Sequence, residues 1–475
     1  MTSVMWFRRD LRVNDNKALY HACKEEDLIL LFQVNPEQFI KGSPSHQAFF
    51  ASVAHFQQEL NRNSHLQIMF GEPIELLKQL KEKIPTWDKV FFNRDETGYG
   101  ASRDEAARAF FADKEITVHS YHDSYLHSAE EVKKSATEYY KIFTPYYKKW
   151  REEIKEMPLK VTLKPEKIRK ESLFPNYEEQ FRELIQDLPA FDSGEKAANT
   201  RLANFVKEDL ADYDKARDVP ALDKTSHLSR YLRTGEISIR TVWQALQKEE
   251  ATEGRATFEK ELCWRDFYNM IYVSFPKQKN EPIQENYRFI EWENNREFFK
   301  KWQDGQTGFP LVDAAMRQLK ETGWMHNRLR MITASFLTKD LLIDWRFGEK
   351  YFQQMLIDYD PASNIGGWQW AASTGTDAVP YFRIFNPTTQ SEKFDPDGTF
   401  IRKYVKELQD LPNKFIHQPE KMSETEQKEH GLILGKDYPF PIIDHKERRK
   451  LAIARYEFSK EHSRGNIQIV NQSLS

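Results

Sequence analysis

Phe258, Glu261, Trp264 and Arg265 place an aromatic ring, a carboxylate, an indole and a guanidinium at separations of three and four along one segment. On a helix that spacing gathers them on one face. Surface helices ordinarily sort charges and aromatics onto opposite faces, so the mixture reads as one wall of a polar pocket. A solvated Glu–Arg pair beside a core indole is the competing reading.

A second segment, Trp324 to Phe336, carries an apolar stripe of Met325, Leu329, Ile332 and Phe336 that belongs to a core. Asn327, Arg330, Met331 and Ala334 fall on another face, where small and amide side chains would let a planar ligand lie close. His326, Arg328, Arg330 and nearby Arg317 add a candidate phosphate contact, against the common alternative of a solvated basic face. Further on, Asp358-Tyr359-Asp360 precedes Asn364-Ile365-Gly366-Gly367-Trp368-Gln369-Trp370. Paired glycines between an amide and two indoles suit close backbone approach to something flat. The two carboxylates suit hydrogen bonds to a heterocycle and a ribose. No histidine or third carboxylate follows at ligand spacing, so no metal is expected. Thr225, Ser226, His227, Leu228 and Ser229 offer hydroxyls and backbone N–H groups just before a helical pattern, which suits either a phosphate or a simple N-cap. His119 and His122 lack further ligands and read as surface residues.

These segments need a scaffold. The chain has 475 residues, 13% aromatic and 30% charged, with 18 glycines and 2 cysteines. At roughly 150 residues per domain, two or three domains are expected. The apolar and aromatic content excludes a disordered chain. Two distant cysteines, Cys23 and Cys263, exclude a disulfide scaffold and fit a reducing cytoplasm. Basic and acidic residues number 70 and 73, so any anionic partner must be met by a local patch. No apolar run of about 18 residues suggests a membrane span, and the start lacks the apolar core of a signal peptide. Eight of the eleven tryptophans lie between Trp243 and Trp370. Core packing and a role as stacking platforms or redox relays both explain that crowding.

The first 125 or so residues alternate apolar runs at Val4–Phe7, Leu28–Val34, Leu66–Phe70, Val90–Asn93 and Thr117–Tyr121 with helical patterns at Asn16–Lys24, Pro44–Leu60, Pro73–Lys83 and Ser102–Asp113. That alternation predicts a doubly wound α/β domain with a parallel sheet. The first strand runs into Phe7-Arg8-Arg9-Asp10-Leu11-Arg12 rather than a glycine-rich phosphate loop, so the usual dinucleotide site is not supported. A Lys-, Glu-, Tyr- and Pro-rich stretch follows, and beyond it almost every segment has helical periodicity. The expected layout is an α/β domain over residues 1–129, a surface connector over 130–193, and a large all-α domain over 194–475.

Taken in this order, the segments resemble the photolyase/cryptochrome family, and most closely bacterial class I cyclobutane pyrimidine dimer photolyases. The resemblance covers essentially the whole chain and is densest over Gly323–Trp345 and Gly366–Gln390; Trp6-Phe7-Arg8-Arg9-Asp10-Leu11-Arg12 supports it. It implies an antenna-type N-terminal domain and a C-terminal domain holding FAD in a folded conformation. On the matching positions, Tyr213, Thr225, Ser226, His227, Leu228, Ser229, Phe258, Arg265, Arg330, Asp358, Tyr359, Asp360 and Asn364 would contact FAD. Trp264 and Trp370 would pack on a flipped-out dimer beside Met331 and Asn327, with Glu261 hydrogen-bonded to it. Arg217, Arg328 and Gln390 would contact DNA, positioning the strand without reading its sequence. Trp302, Trp345 and Trp368 would pass electrons from the surface to the flavin.

The implied activity is light-dependent splitting of cyclobutane pyrimidine dimers in UV-damaged DNA by an electron from photoexcited, reduced FAD, in a monomeric cytoplasmic protein. Phe258 departs from the family pattern, since many relatives carry Trp there. Folate-binding relatives carry an Asn-Glu pair where this chain has Tyr99-Gly100, although Lys141-Ile142-Phe143-Thr144-Pro145 is family-like. The occupant of a second, antenna site stays open among a folate, a deazaflavin, another flavin and none. A cryptochrome-like photoreceptor is the main alternative; no long signalling extension is expected beyond Tyr438-Pro439-Phe440-Pro441. Repair of (6-4) photoproducts would use a histidine at the Asn327 position. His326 is turned away from that position by about 100° on a helix. A light-independent DNA-binding flavoprotein is the remaining alternative.

Overall fold

The computed structural model describes residues 1–473. Five strands, β1 (Thr2–Phe7), β2 (Leu28–Val34), β3 (Leu66–Phe70), β4 (Trp87–Asn93) and β5 (Thr117–Tyr121), pair in parallel in the order β3-β2-β1-β4-β5. Four helices fill the crossovers: α1 (Lys17–Ala22), α2 (Pro44–Leu60), α3 (Pro73–Lys83) and α4 (Gly98–Asp113). The expected doubly wound sheet is therefore present, with one apolar core on each face. Met5, Phe7, Leu30 and Phe32 pack with Phe50 and Phe56 on one side. Val4, Trp6, Ile29 and Leu31 pack with Leu77, Leu80 and Phe111 on the other. Alternation by twos along a strand, with both sides covered, is why these strands read as unbroken apolar runs.

Helix starts follow local chemistry. Asn16 caps α1 by accepting from Leu19 N at 3.0 Å, and Pro44 and Pro73 open α2 and α3 where no N–H is needed. The α4 helix begins at Gly98, four residues before the expected Ser102; the poor helix-forming run Gly98-Tyr99-Gly100 hides its first turn in the sequence. The charged Asp88 and Lys89 likewise masked the first three residues of β4.

Where β1 and β4 end, ion pairs occupy the crevice that a phosphate loop would use in a dinucleotide fold. Arg8 pairs with Asp104 at 2.9 Å, Arg9 with Asp95 at 2.6 Å, and Arg103 with Asp95 at 2.9 Å. Next to it, Asp123 accepts from both Arg12 and Arg240, and Arg240 also reaches Asp15 at 3.1 Å.

Two compact units divide the chain. The first comprises Met1–Asp214, Thr225–Ser274 and Ile357–Asp360; the second comprises Lys215–Lys224, Phe275–Leu356 and the chain from Pro361 onward. Residues 130–193 carry helices Phe143–Glu152 and Pro175–Ile185, and contribute Val161, Ile168 and Phe181 to the first sheet core. The second unit is helical, and no helix among the described residues is long and apolar enough to cross a membrane.

Two imidazoles give this fold an acid sensitivity. Burial pushes His46 and His122 down to about 4, so both are neutral in the folded protein at pH 6. Unfolded, each takes up a proton near 6.5, so the unfolded chain binds more protons between those values and stability is lost as pH falls. The urea midpoint is expected to drop between pH 7 and pH 5, and to drop less in His46→Gln; identical slopes would contradict this.

Candidate functional site

In the first unit, the Glu253–Ser274 helix carries Phe258, Glu261, Trp264 and Arg265 as the spacing predicts. Its start is fixed by Gly254, where a Cβ would lie 2.2 Å from the Leu210 carbonyl oxygen. That close approach seats Phe258 against Phe205 at 4.7 Å and Tyr213 at 5.2 Å, which buries the phenyl ring. Trp264 is half-buried, stacked on Phe143 and flanked by Phe267 and Tyr268. The Arg265 guanidinium donates to the Ser124 carbonyl and lies 4.3 Å from the Tyr125 ring centroid.

Sequence reasoning missed Asp266, the residue that anchors this helix. Its buried carboxylate accepts from the backbone N–H groups of Leu126 and His127 and from Trp150 Nε1 at 2.9 Å. Burial raises its pKa against those donors. Charged residues are almost never fully buried unless paired, so nothing in the sequence separated Asp266 from the exposed acids around it.

The Asp358-Tyr359-Asp360 segment also lies in the first unit, beside the Ser229–Thr234 helix. Ser229 Oγ donates to Asp358 Oδ2 at 2.6 Å. Arg233, another residue the sequence did not single out, donates to the Tyr359 carbonyl at 2.8 Å, and burial pushes its guanidinium down to about 10. Asp360 lies 4.0 Å from Arg9. The Thr225–Leu228 stretch is a loop in which His227 has φ +51. Arg201 holds that loop by donating to the Thr225 carbonyl at 2.7 Å and the Ser226 carbonyl at 2.8 Å. The Thr225 hydroxyl is buried without a hydrogen-bond partner. Buried hydroxyls are almost always bonded, so this one fits a bound group bearing acceptor oxygens, as the pyrophosphate of FAD does.

In the second unit, the expected helix over 324–336 is shorter than its periodicity suggested. It runs Asn327–Ser335, and the ladder then widens into a π-helical turn over Phe336–Asp340. His326 is the N-cap, buried, with Nδ1 accepting from Arg328 N at 3.1 Å. Its ring is committed to ending a helix, while Asn327 stands exposed at the first helical position. Met325, Leu329, Ile332 and Phe336 are buried as expected. Arg330 Nε donates to the Met325 carbonyl at 2.8 Å, and Met331 is half-buried. Arg328 pairs with Asp218 at 2.8 Å and lies over the Phe394 ring. Arg217, Trp370 and Gln390 are also half-buried in this unit.

Asn364 Nδ2 donates to Glu349 Oε1 at 3.2 Å, so its side-chain carbonyl is the end turned from Glu349. Trp302 and Trp368 are 6.2 Å apart with Phe352 packed on both. Gly348 permits this, since a Cβ there would lie 2.1 Å from the Trp368 ring. Trp302, Trp345 and Trp368 are 0%, 1% and 2% exposed. An electron path starting at the surface therefore needs a further residue. Trp292 is half-exposed. The backbone N–H of its neighbour Glu293 donates to the Leu342 carbonyl at 2.8 Å, and Asp344 N donates to Asn294 Oδ1 at 2.9 Å, which joins the Trp292 segment to the one entering Trp345.

The histidines His119 and His122 are not surface residues. His119 stacks on Phe91, and the His122 side chain is 9% exposed. Among the described residues no group of three or more His, Cys, Asp or Glu could hold a metal.

The five-stranded parallel sheet followed by a helical region is the architecture of solved photolyase structures. Residues 3–166 match the family model described as DNA photolyase, and residues 258–458 match the FAD binding domain of DNA photolyase. The chain is 45% identical to deoxyribodipyrimidine photo-lyase of Alkalihalophilus pseudofirmus, over 96% of this chain and 98% of that one. A class III photolyase structure from Agrobacterium tumefaciens aligns with TM-score 0.88 and 34% identity, covering 97% of this chain and 98% of the other. An archaeal photolyase structure from Sulfolobus tokodaii, described with two FAD molecules, aligns with TM-score 0.82 and 31% identity over 96% of this chain and 100% of that one. The chain belongs to the photolyase/cryptochrome family and stands with its enzymes, as an FAD-binding flavoprotein.

Proposed function

We propose that this chain, acting as a cytoplasmic monomer, splits cyclobutane pyrimidine dimers in UV-damaged DNA under light. The observation that carries the reading is the 45% identity, over 96% of this chain, to a deoxyribodipyrimidine photo-lyase, joined to Glu261 and Trp264 on one helix face. Residues 1–129 are assigned to an antenna-type domain, 130–193 to the connector and 194–475 to the catalytic domain.

Bound, reduced FAD would supply the light-excited electron donor. Tyr213, the Thr225–Ser229 loop, Phe258, Arg265, Arg330, Asp358–Asp360 and Asn364 are assigned to hold it. The orphaned Thr225 hydroxyl supports the loop's part in this. The Arg330 charge favours an anionic reduced cofactor, and Asn364, with its donor committed to Glu349, offers a carbonyl acceptor. Trp264 gives a pyrimidine a stacking surface, and Glu261 gives its carbonyls a hydrogen-bonding carboxyl. Trp370, Met331 and Asn327 are assigned to the lesion, and Arg217, Arg328 and Gln390 to the strand. Extrusion is least costly for a dimer that already pairs poorly. Trp302, Trp345 and Trp368 are assigned to electron relay, with Trp292 as its solvent-side end.

Purified protein is expected to release FAD on denaturation and to bind irradiated DNA more tightly than unirradiated DNA, read by fluorescence anisotropy. Equal affinity for the two DNAs would contradict the proposal.

A further inference from the structure

Phe143 opens the Phe143–Glu152 helix, and its ring lies parallel to the Trp264 indole at 3.6 Å between centroids with an interplanar angle of 3°. That is the separation of stacked nucleobases, and it is the closest ring pair among those described. The same ring meets Phe267 edge-on at 5.7 Å. Trp264 and Phe267 are one helical turn apart, so Phe143 lies on the side of the Glu253–Ser274 helix that they share. Glu261, Phe258 and Arg265 lie round the opposite side of Trp264: successive residues turn by about 100°, which puts Glu261 and Arg265 at positive angles from the indole and Phe267 at a negative one. One face of the indole is thus covered by Phe143, while Glu261 and the Tyr268 ring, 5.5 Å away, belong to the other side of the indole along the helix.

Phe143 is itself held firmly. Three and seven residues on, Tyr146 and Trp150 are 1% and 0% exposed. Tyr146 packs on Phe267 at 5.3 Å, and Trp150 Nε1 donates to Asp266 at 2.9 Å. The helix that bears Phe143 is in this way pinned to the helix that bears Trp264 at two further points, and Tyr147 stacks behind Phe143 at 5.8 Å.

We propose that Phe143 is a positioning residue for lesion recognition: it backs the Trp264 indole, so that the indole keeps one orientation and accepts a pyrimidine only on the face turned toward Glu261. This rests on the reading of Trp264 as a lesion contact. An indole stacked on one side has lost its rotamer freedom before the substrate arrives, and a rigid partner binds with less ordering cost. The Phe143 ring meets Tyr147, Trp264 and Phe267, none of which is assigned to FAD.

The test uses the full-length FAD-bound protein and two duplexes, one with a single cyclobutane dimer and one undamaged. An aromatic pair contributes enough that Phe143→Ala should lose roughly 2- to 12-fold in affinity for the dimer duplex. Undamaged-DNA affinity and flavin content should not change, and the repair rate at saturating substrate should be kept. Phe143→Tyr should restore binding and Phe143→Leu should not, which separates ring stacking from simple filling of space. The Phe143→Ala/Trp264→Ala double variant should bind no more weakly than Trp264→Ala alone. The inference is overturned if Phe143→Ala binds the dimer as well as the parent while Trp264→Ala is weakened, or if Phe143→Leu binds as well as Phe143→Tyr, or if affinity falls equally for both duplexes. Normal dimer binding by Trp264→Ala would instead overturn the underlying assignment of the lesion contact.

Discussion

Asp123→Ala is expected to destabilise the protein by about 3–5 kcal/mol, the usual cost of removing one partner from a buried ion pair. The Asp123 side chain is 1% exposed and faces two guanidiniums, Arg12 at 4% and Arg240 at 2%. Burial alone would raise its pKa, but Arg12 and Arg240 outweigh that and hold the carboxyl well below the usual range. Without it, Arg240 keeps Asp15, while Arg12 keeps only carbonyls of Asp15 and Gly235. Because the folded pKa is depressed, the stabilisation from this carboxylate is present above about pH 4 and is lost as pH falls below it. Urea denaturation of Asp123→Ala and Asp123→Asn checks this; a change under about 1 kcal/mol would show that the charge network is dispensable.

Trp345→Phe is expected to abolish photoreduction of oxidised FAD while leaving repair by chemically reduced enzyme intact. Phenylalanine packs in the same place, at a cost of about 1–3 kcal/mol for the smaller ring, but it is far harder to oxidise than indole. Trp345 is 1% exposed and follows the segment that Asn294 ties to Trp292. Trp292→Phe should therefore slow photoreduction as well, and Trp264→Phe should not. Flavin absorbance under blue light with an external reductant reads the first effect; dimer loss from dithionite-reduced protein reads the second. Loss of both in Trp345→Phe would show that this indole serves more than the relay.

β1, β2 and β3 were legible because they are covered on both faces: Leu28–Val34 has almost no outward side whose polarity could blur the pattern. Pro44 and Pro73 marked helix starts for a similarly local reason. Legibility failed where long-range contacts decide. Asp266, Arg233 and Arg201 look like any surface charges until the chain segments they bind are brought beside them. The helix over 324–336 was drawn too long because its apolar stripe continues past both ends, while the cap at His326 and the π turn after Ser335 depend on hydrogen bonds that periodicity does not see. The shared face of Phe258, Glu261, Trp264 and Arg265 was legible from spacing alone. Which tryptophans reach solvent was not, since Trp292 and Trp302 differ only in what covers them.

The central claim is that light drives dimer splitting by this chain. Irradiated oligothymidylate is incubated with reduced, FAD-bound protein under near-UV or blue light and in darkness, and the recovery of thymine absorbance near 260 nm is followed. Recovery in light, none in darkness, and none in light with protein stripped of flavin is the predicted result. Equal recovery in light and darkness, or none in either, would contradict it.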